Sequence, residues 1–472
     1  MKNLSKYSWV IPISGLLFLN ACKVSKDIAL PDMALSKNYR FPAIDTFNSA
    51  AIPWQIFFKD ETLQTLITNA IQHNNNLEIA IKNIDIASLT LKQAKLGNVP
   101  SIGIQAAAAI NRPSDNSLSG ISLNTILQTN HIQDYTVFSS LSWEADIWGK
   151  IKSQKAAALD AYLNTAEARN AIQTILVNDV SKSYYNLLML DAQLVIALKN
   201  VQLNDSTLRI IQLQYQAGQV TSLAVQQADA QRLTAATLVP KFEQQISIEE
   251  NALSILTGQL PNAIKRKNEL SSTSLDTRLT AGIPSDLLRL RPDVKQYELS
   301  LSEANANVGY AKANMYPSLT ITAQAGLDAF KASNWFNIPA SLFGNVLGSF
   351  AQPLINKKKL KTQFEIAKVR REQAVIQFRQ AVLQAVGEVS DELVKLDKLK
   401  LQQALVSERV ITLQTATRNA QLLFQNGLAT YIEVITAQGN VLQSELELAT
   451  IQKQRLDAGA DLYRALGGGW NN

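Results

Sequence analysis

The sequence contains one arrangement of segments twice, and this duplication limits the folds that the chain can adopt. Residues 94–101 (AKLGNVPS) recur as residues 311–318 (AKANMYPS), and residues 212–218 (QLQYQAG) recur as residues 421–427 (QLLFQNG). In each copy a helical pattern leads to a proline, strand-like alternation follows, and two long helical stretches complete the unit. Length alone would suggest about three ordinary domains for 472 residues. The duplication instead predicts two equivalent halves.

The N-terminus has the pattern of an export signal. In residues 1–21 two early lysines precede a mostly apolar stretch, and residues 19–22 (LNAC) are similar to a bacterial lipobox. A plain secretory signal with a chance cysteine is the alternative. Cys22 is the one cysteine of the chain, and an exposed free thiol is a liability in an oxidising compartment. We therefore expect lipidation of Cys22 and anchoring in a membrane.

Helical periodicity begins near Thr62, where apolar residues recur three and four positions apart. The polar run 73–76 interrupts it, and a second helical stretch runs from Leu77 to Gly97. In the second half the equivalent helix begins at Pro292, which suits a first helical position, with Asp293 at the positive helix end. Each half therefore opens with a helix.

Both opening helices lead to a proline, Pro100 or Pro317, after which the apolar period changes to two. The alternation is clearest after Pro317 and least regular in the last segment, which contains two glycines. Period two indicates strands with one apolar and one polar face. The four candidate strands are residues 102–110, 135–143, 319–327 and 342–355.

These strands have the length of membrane-crossing strands. About ten residues of tilted strand span the hydrocarbon core of a bilayer. Past the export signal no run of 18 or more apolar residues occurs, so we expect any crossing to use strands. A small soluble sheet is the alternative, but aromatic residues cluster at the strand ends, as they do at membrane interfaces. Those aromatic residues are Tyr135, Trp143, Trp148, Tyr316 and Trp335.

Two very long helices are expected after the strands. Residues 150–217 contain neither glycine nor proline, enough for a helix of about 100 Å. Apolar residues recur every seven positions, which favours supercoiled packing against neighbouring helices. The long helices end at Gly218 and Gly427, where a left-handed cap is easy, and a return helix follows each turn.

A single chain cannot complete this architecture. Four strands cannot close a barrel, and open edges in lipid leave backbone groups unpaired at several kcal/mol each. Eight is the smallest usual strand number. The sequence therefore predicts an oligomer in which a membrane β-barrel is continuous with a cylinder of helices, an α+β fold.

Several motifs in a fixed order resemble one family. The chain resembles the TolC-like outer-membrane efflux channels, also called outer membrane factors, of the lipoprotein branch, over nearly the whole mature sequence. The matching segments are residues 143–150 (WEADIWGK), 282–294 (GIPSDLLRLRPDV), 316–319 (YPSL) and 462–470 (LYRALGGGW), together with the two Tyr/Phe-x-x-Gly turns that end at Gly218 and Gly427.

The resemblance implies a homotrimer with a twelve-stranded barrel and a twelve-helix periplasmic tunnel. It implies an outer-membrane location, with a large periplasmic portion, and a passive conduit that carries small molecules from the periplasm to the exterior. The implied partners are outer-membrane lipid, a periplasmic adaptor protein and an inner-membrane pump, most often of the resistance-nodulation-division (RND) class. The alternatives are the outer-membrane component of a type I protein secretion system and a lipid-anchored coiled-coil scaffold without a pore.

On this basis the chain divides into five segments. A signal peptide and a lipidated tether precede the first repeat, and an equatorial linker rich in Gly, Pro, Ser and Thr separates the repeats. We expect this linker to be irregular and to pack near the tether. The segments are 1–21 (signal), 22–61 (tether and equatorial segment), 62–257 (first repeat), 258–284 (linker) and 285–472 (second repeat).

The resemblance also places a periplasmic gate near the second hairpin turn. Family members carry rings of acidic residues near the positions of Glu433 and Thr436. Three copies of Glu433 would attract cations, and Thr436 in place of an acid implies a single ring. The spacing of Thr430 and Glu433 equally fits a helix-capping box, and the two roles are compatible.

The strand–helix junctions are expected at Pro100, Pro317 and Gly149. After the fourth strand, where family members often carry paired glycines, this chain has residues 356–359 (NKKK). We expect a looser turn there.

Composition argues against other classes of protein. The net charge of +6 is weak and dispersed, which is unlike a nucleic-acid-binding protein. The two histidines, His73 and His131, belong to no metal or nucleophile motif, and no phosphate-binding loop is present. We therefore expect no enzyme activity, no cofactor and no bound metal.

Overall fold

The computed structural model describes Tyr39, residues 48–273 and residues 280–471. The expected signal peptide and Cys22 lie outside these described residues. The described residues form two compact units, each built from parts of both sequence repeats. The strand unit comprises residues 85–163 and 299–376, and the helical unit comprises Tyr39 and residues 48–84, 164–273, 280–298 and 377–471.

Between residue 48 and the first strand lie three α-helices: α1 (Trp54–Phe57), α2 (Glu61–His73) and α3 (Asn75–Lys95). The Asp60 carboxylate caps α2 by accepting from the N–H groups of residues 62 and 63 at 2.8 and 3.0 Å. Asn74 caps α3 in the same way, so the polar run 73–76 does interrupt the helix as predicted. Helix α3 ends at Lys95 rather than Gly97, because residues 96–98 tighten into a 3₁₀ turn.

Four antiparallel strands form one sheet in the order β1-β2-β3-β4. They are β1 (Ser101–Asn111), β2 (Ile132–Ala145), β3 (Ser318–Ala329) and β4 (Leu342–Ala351). All four candidate strands are present. The fourth ends at Ala351 rather than Ile355, because Pro353 has no N–H to donate to the sheet.

A helix that the sequence did not predict lies between β1 and β2. It is α4 (Leu118–Ile126), within a stretch that is polar overall. Ser117 begins the helix, because its Oγ accepts a hydrogen bond of 3.1 Å from the Gly120 N–H.

The first long helix, α5 (Lys150–Gln216), turns back into two shorter helices, α6 (Ser222–Ala236) and α7 (Leu238–Leu256). The predicted return helix is thus broken at Thr237. Pro240 explains the break, because proline has no N–H to donate to the carbonyl of residue 236 and is tolerated in the first turn of α7.

The second half has the same order with an unbroken return. It contains α8 (Leu287–Leu290), α9 (Pro292–Ala313), the long α10 (Lys359–Gln425) and α11 (Tyr431–Ala465). Pro292 is the first residue of α9, as predicted. Among the described helices, none has a stretch both long and apolar enough to cross a bilayer.

The helical unit has its largest core where α2, α5 and α11 meet. Tyr184 is fully buried there, and its hydroxyl donates to Asp60 Oδ2 at 2.8 Å. Burial and the Asp60 carboxylate raise the pKa of Tyr184. The Tyr463 ring stacks on Phe57 with centroids 4.0 Å apart. Helix α1 therefore packs onto the long helix α11.

The linker contacts the tether. The Ser49 N–H donates to the Thr280 carbonyl at 3.0 Å, and Asn48 and Ala281 form an isolated β-bridge. Leu270 joins the same core as Trp54. Such pairing gives hydrogen-bond partners to backbone N–H and C=O groups that lie outside the helices and the sheet.

Candidate functional site

Both hairpin turns end their long helix in the same way. Gly218 and Gly427 have φ angles of 74° and 72°, the left-handed region that glycine adopts without steric cost. The N–H of Gln219 donates to the carbonyl of residue 214, and the N–H of Leu428 to that of residue 423, each at 2.8 Å. These six-residue hydrogen bonds belong to the Schellman motif. Apart from the adjacent residues, no described atom lies within 4 Å of a Cβ built at either glycine, so the positive φ angle alone favours glycine there.

Glu433 caps the helix that follows the second turn. Its Oε2 accepts from the Thr430 N–H at 2.6 Å and from the Thr430 hydroxyl at 3.3 Å. This is the capping box that the spacing predicted. Glu433 and Thr436 both remain exposed to solvent. The carboxylate can therefore cap α11 and still present negative charge at the surface, while its role as a gate stays a prediction.

Polar contacts and an apolar cluster hold the two hairpins together near their turns. Tyr431 donates its hydroxyl to Gln227 Oε1 at 2.8 Å. Deeper in, the fully buried Gln438 donates its Nε2 to Thr207 Oγ1 at 2.7 Å. We call the buried apolar residues of this region the tip cluster: Leu208, Ile211, Ala224, Ala228, Phe424 and Val434.

The two hairpins differ in how their return helices begin. Thr221 precedes α6 as Thr430 precedes α11, but the Thr221 side chain makes no capping bond. Three residues later, Ala224 is fully buried in the tip cluster, whereas the corresponding Glu433 is exposed. Negative charge at this position is therefore confined to the second hairpin.

At the start of α5, an acidic residue anchors the strand-to-helix turn. Gly149 adopts a φ angle of 74° in this turn. The Asp146 carboxylate accepts from the N–H groups of Ile151 and Lys152 at 2.9 and 2.8 Å. A carboxylate at this end is favourable because the helix dipole is positive there. This accounts for Asp146 within the WEADIWGK motif, a role that the sequence analysis missed.

Two tryptophans hold the proline-containing turns. The Trp148 indole N–H donates to the Pro317 carbonyl at 2.7 Å, and its ring stacks on Tyr316 with centroids 4.8 Å apart. The Trp143 indole N–H donates to the Asn98 carbonyl at 2.9 Å, two residues before Pro100. Aromatic residues therefore gather at this end of the sheet as predicted.

The strand register places most of the apolar residues on one face. Paired residues lie on the same side of a sheet. Leu141 pairs with Ile102 on β1 and with Ala323 on β3, and Ala323 pairs with Val346 on β4. The opposite face carries mostly small polar residues, together with Phe138, Phe343 and Leu347. The apolar face also includes Ile104, Val137, Trp143, Leu319, Ile321, Leu327, Leu342 and Phe350, and the polar face includes Thr136, Ser140, Ser142, Thr320, Thr322, Gln324 and Asn345.

Both edges of the sheet are open in the described chain. Strand β1 pairs only with β2, and β4 pairs only with β3. Apolar side chains on these edge strands are strongly exposed: Ile104 to 83% and Val346 to 78%. An exposed apolar edge strand is a template for pairing with another chain.

Two of the family-like motifs meet in the helical unit around Arg291. This buried guanidinium contacts Asp293 at 2.6 Å and Glu388 at 2.9 Å, and it donates to the Ala465 carbonyl at 3.1 Å. Burial alone would raise the pKa of Asp293, but the hydrogen bonds and charge of Arg291 hold it below its usual value. Trp470 closes the contact by donating to the Leu290 carbonyl at 3.1 Å.

The histidines have local partners. His73 Nδ1 lies 3.0 Å from the carbonyl oxygen of Asn69, and His131 Nδ1 lies 3.0 Å from Asn130 Oδ1. Within residues 48–273 and 280–471, no three His, Cys, Asp or Glu side chains are grouped as metal ligands would be.

Comparison with known sequences identifies a family. The profile of the family described as outer membrane efflux protein matches residues 66–259 and 283–468, one match in each half of the chain. These matches span most of the chain and both hairpins.

Three known proteins illustrate the similarity. The cation efflux system protein CusC of Escherichia coli O6:H1 is 27% identical over 467 residues, covering 98% of each chain. The probable outer membrane lipoprotein SilC of Salmonella typhimurium is 27% identical over 439 residues, covering 93% of this chain and 92% of SilC. The solvent efflux pump outer membrane protein SrpC of Pseudomonas putida is 28% identical over 478 residues, covering 98% of each chain.

The fold agrees with these similarities. A crystal structure of CusC, described in terms of folding and transmembrane channel formation, superposes with a TM-score of 0.83 at 26% identity. The superposition covers 95% of this chain and all of the CusC chain. With its duplicated helices, its four-stranded sheet and its profile match in both halves, this chain belongs to the outer membrane efflux protein family.

Proposed function

We propose that this protein is the outer-membrane channel of a tripartite efflux system, a passive conduit for small molecules between the periplasm and the exterior. The observation that carries the proposal is the four-stranded sheet with one apolar face and two open edges. In a bilayer, unpaired edge groups cost several kcal/mol each, so neighbouring strands must cover them. A scaffold without a pore gives no reason for an apolar face on four paired strands.

Three copies complete the wall in this proposal. Twelve strands exceed the eight that a small barrel needs and leave a lumen lined by the polar face. The test is single-channel conductance in planar bilayers together with a heat-labile trimer band in detergent gels. A rod that salt alone extracts from membranes, without conductance, would favour the scaffold.

The proposed partners are a periplasmic adaptor and an inner-membrane pump, most often of the RND class. The names of CusC and SrpC connect relatives of this chain with efflux systems for cations and for solvents. Because relatives of nearly equal identity are named for such different cargo, the pump rather than the conduit is expected to select the substrate. Affinity purification of the full chain from crosslinked cells, followed by mass spectrometry, tests this. Recovery of an adaptor and a pump supports the assembly, whereas a secretion ATPase would favour type I protein export.

The periplasmic mouth is proposed to lie at the second hairpin turn, with Glu433 in a single ring of three carboxylates. Its exposure and the threonine at position 436 support this assignment. Because Glu433 also caps α11, the ring would stand on a rigid first helical turn. Such a ring would favour cations and raise a modest repulsive barrier that an adaptor could offset.

The N-terminus is proposed to be removed after residue 21 and acylated at Cys22. The sequence pattern supports this, and SilC is named as an outer membrane lipoprotein. Metabolic labelling with palmitate tests it. Label that persists in a Cys22→Ser variant would contradict acylation at this residue.

A further inference from the structure

The segment that joins β4 to α10 exposes apolar side chains just beyond the strand end. Leu354 is 89% exposed and Ile355 is 96% exposed. They follow Phe350, which lies on the apolar face of the sheet and is also exposed. We call residues 353–361 the lysine loop. Exposed apolar side chains therefore continue past the strand end into the turn.

Four lysines follow this pair, and all are exposed: Lys357, Lys358, Lys359 and Lys361. Within the part of the chain that the structure describes, none of them contacts a carboxylate. The nearby acids are already engaged, since Glu144 pairs with Lys150 at 2.9 Å and Asp146 caps α5. The lysine charges are therefore available to an external anion.

Local structure alone does not favour lysines at these positions. Lys357 and Lys358 have φ angles of 55° and 62°, in the left-handed region that residues other than glycine adopt only at a steric cost. The expected looser turn is thus wrong, because the chain adopts a glycine-like turn with lysines in it. Positive charge at the start of α10 also opposes the helix dipole, which favours anions there.

The lysine loop lies beside the aromatic end of the sheet. Gln352 donates its Nε2 to the Met315 carbonyl at 3.1 Å, next to the Tyr316 ring that stacks on Trp148. Pro353 lines a cleft with the same two aromatic residues. Trp and Tyr mark the boundary between hydrocarbon and headgroups. The loop therefore combines an interfacial position, two exposed aliphatic side chains and four free cations.

We propose that the lysine loop binds anionic phospholipid in the leaflet that faces the periplasm. Leu354 and Ile355 enter the acyl region, while the lysines hold the phosphate headgroups. This inference rests on the proposed membrane-spanning channel. Each lysine near an anionic surface contributes about fivefold to lipid affinity, so two lysines contribute about 25-fold.

The test uses the full acylated chain in vesicles of phosphatidylcholine that contain spin-labelled phosphatidylglycerol or spin-labelled phosphatidylcholine. The variant is Lys357→Gly with Lys358→Gly, which removes two charges and suits the left-handed backbone. We expect thermal stability equal to or above wild type, with the preference for phosphatidylglycerol reduced at least tenfold. The matched control is Lys265→Gln with Lys267→Gln, two exposed lysines in the helical unit, which should leave the preference unchanged.

Further arms separate the lipid from other ligands. Leu354→Ser with Ile355→Ser should weaken lipid association generally while the anionic preference remains, and added inorganic phosphate should not displace the lipid. An unchanged preference for phosphatidylglycerol in the glycine variant overturns the proposal. Dissociation of the trimer in that variant, without a change in lipid preference, also overturns it, because the loop would then be a contact between copies. Conductance measured on the same preparation tests the proposed channel function independently of lipid binding. Absence of conductance in the wild-type protein would overturn the proposed function rather than the lipid proposal.

Discussion

The Gln438 side chain on α11 donates a 2.7 Å hydrogen bond to Thr207 Oγ1 on α5, and both residues are buried. The bond joins residues 231 positions apart, one from each half of the chain. Gln438 Oε1 has no partner among the described residues. The amide therefore depends on a single contact, which ties the two hairpins together beneath their turns.

Thr207→Val should destabilise the hairpin pair by about 1–3 kcal/mol, because it leaves the buried Gln438 amide without a partner. Hydrogen exchange in residues 431–440 should speed up. Thr207→Ser, which keeps the hydroxyl, should behave as wild type. The double variant Thr207→Val with Gln438→Leu should recover most of the loss, because no polar group is then stranded. A double variant as unstable as the sum of its parts would show that the bond does not account for the coupling.

Glu433→Gln separates the gate from the cap. Glutamine can still accept the Thr430 N–H, so the α11 start should remain stable, but three charges disappear from the mouth. We expect weaker cation preference in planar-bilayer conductance with an unchanged melting temperature. Glu433→Ala should show the same selectivity loss and also cost about 1 kcal/mol through loss of the cap.

Thr436→Glu offers the opposite change at the neighbouring exposed position. A second ring of carboxylates should raise cation preference above wild type. If Glu433→Gln leaves ion selectivity unaltered, the ring hypothesis fails, and Glu433 is a capping residue alone.

Asp457 and Asp293 predict pH dependences of opposite sign. Burial raises the pKa of Asp457, and Lys453 at 2.6 Å offsets this only in part. The ionised form therefore destabilises the fold above that raised pKa, and the cost fades as the pH falls through it. Asp457→Asn should raise the melting temperature near pH 7, with the gain shrinking towards pH 4.

Asp293→Asn is the matched comparison. Arg291 holds the pKa of Asp293 below its ordinary value despite burial, so its ionised form stabilises the fold above pH 3.8. This stability is lost as the pH falls from 3.8 through the lowered value. The variant should therefore melt lower than wild type near pH 7, with the difference closing in acid. Parallel pH profiles for the two variants would contradict these assignments.

Trp148→Phe tests the hydrogen bond by which Trp148 of the first repeat contacts Pro317 of the second. Phenylalanine can keep the stacking on Tyr316 but loses the N–H that reaches the Pro317 carbonyl. A loss of about 1 kcal/mol is expected, measured as a lower temperature for trimer dissociation in detergent gels. Trp148→Ala should cost more because it also removes the stacking. Equal losses in the two variants would assign the effect to the hydrogen bond rather than to the stacking, and no loss in Trp148→Phe would contradict a role for the hydrogen bond.

Much of the architecture could be predicted because it follows from periodicity and breakers. Alternation after Pro317 predicted β3 and its apolar face, and the stretch from Lys150 without glycine or proline predicted α5. The Thr430–Glu433 spacing predicted the capping box. These patterns are local, so a single sequence contains them in full.

Other features depend on contacts that the linear sequence does not show. Helix α4 sits in a stretch that is polar overall and begins at a single serine cap, a weak signal. Pro240 lies close to the break at Thr237, but the prediction of one return helix took no account of it. The bond from Trp148 to Pro317 spans 169 residues, and Asp146 caps a helix five residues away. The glycine-like turn at Lys357 runs against residue preference and could be seen only in the backbone.

The most direct test is the mass of the purified, acylated protein particle in mild detergent, measured by light scattering with the detergent contribution subtracted. Because β1 and β4 each lack one neighbour, we expect the chains to associate, and the proposed twelve-stranded barrel predicts a particle of three chains. A stable particle containing one chain would contradict the account, because a four-stranded sheet with two open edges would then be stable without strands from other copies.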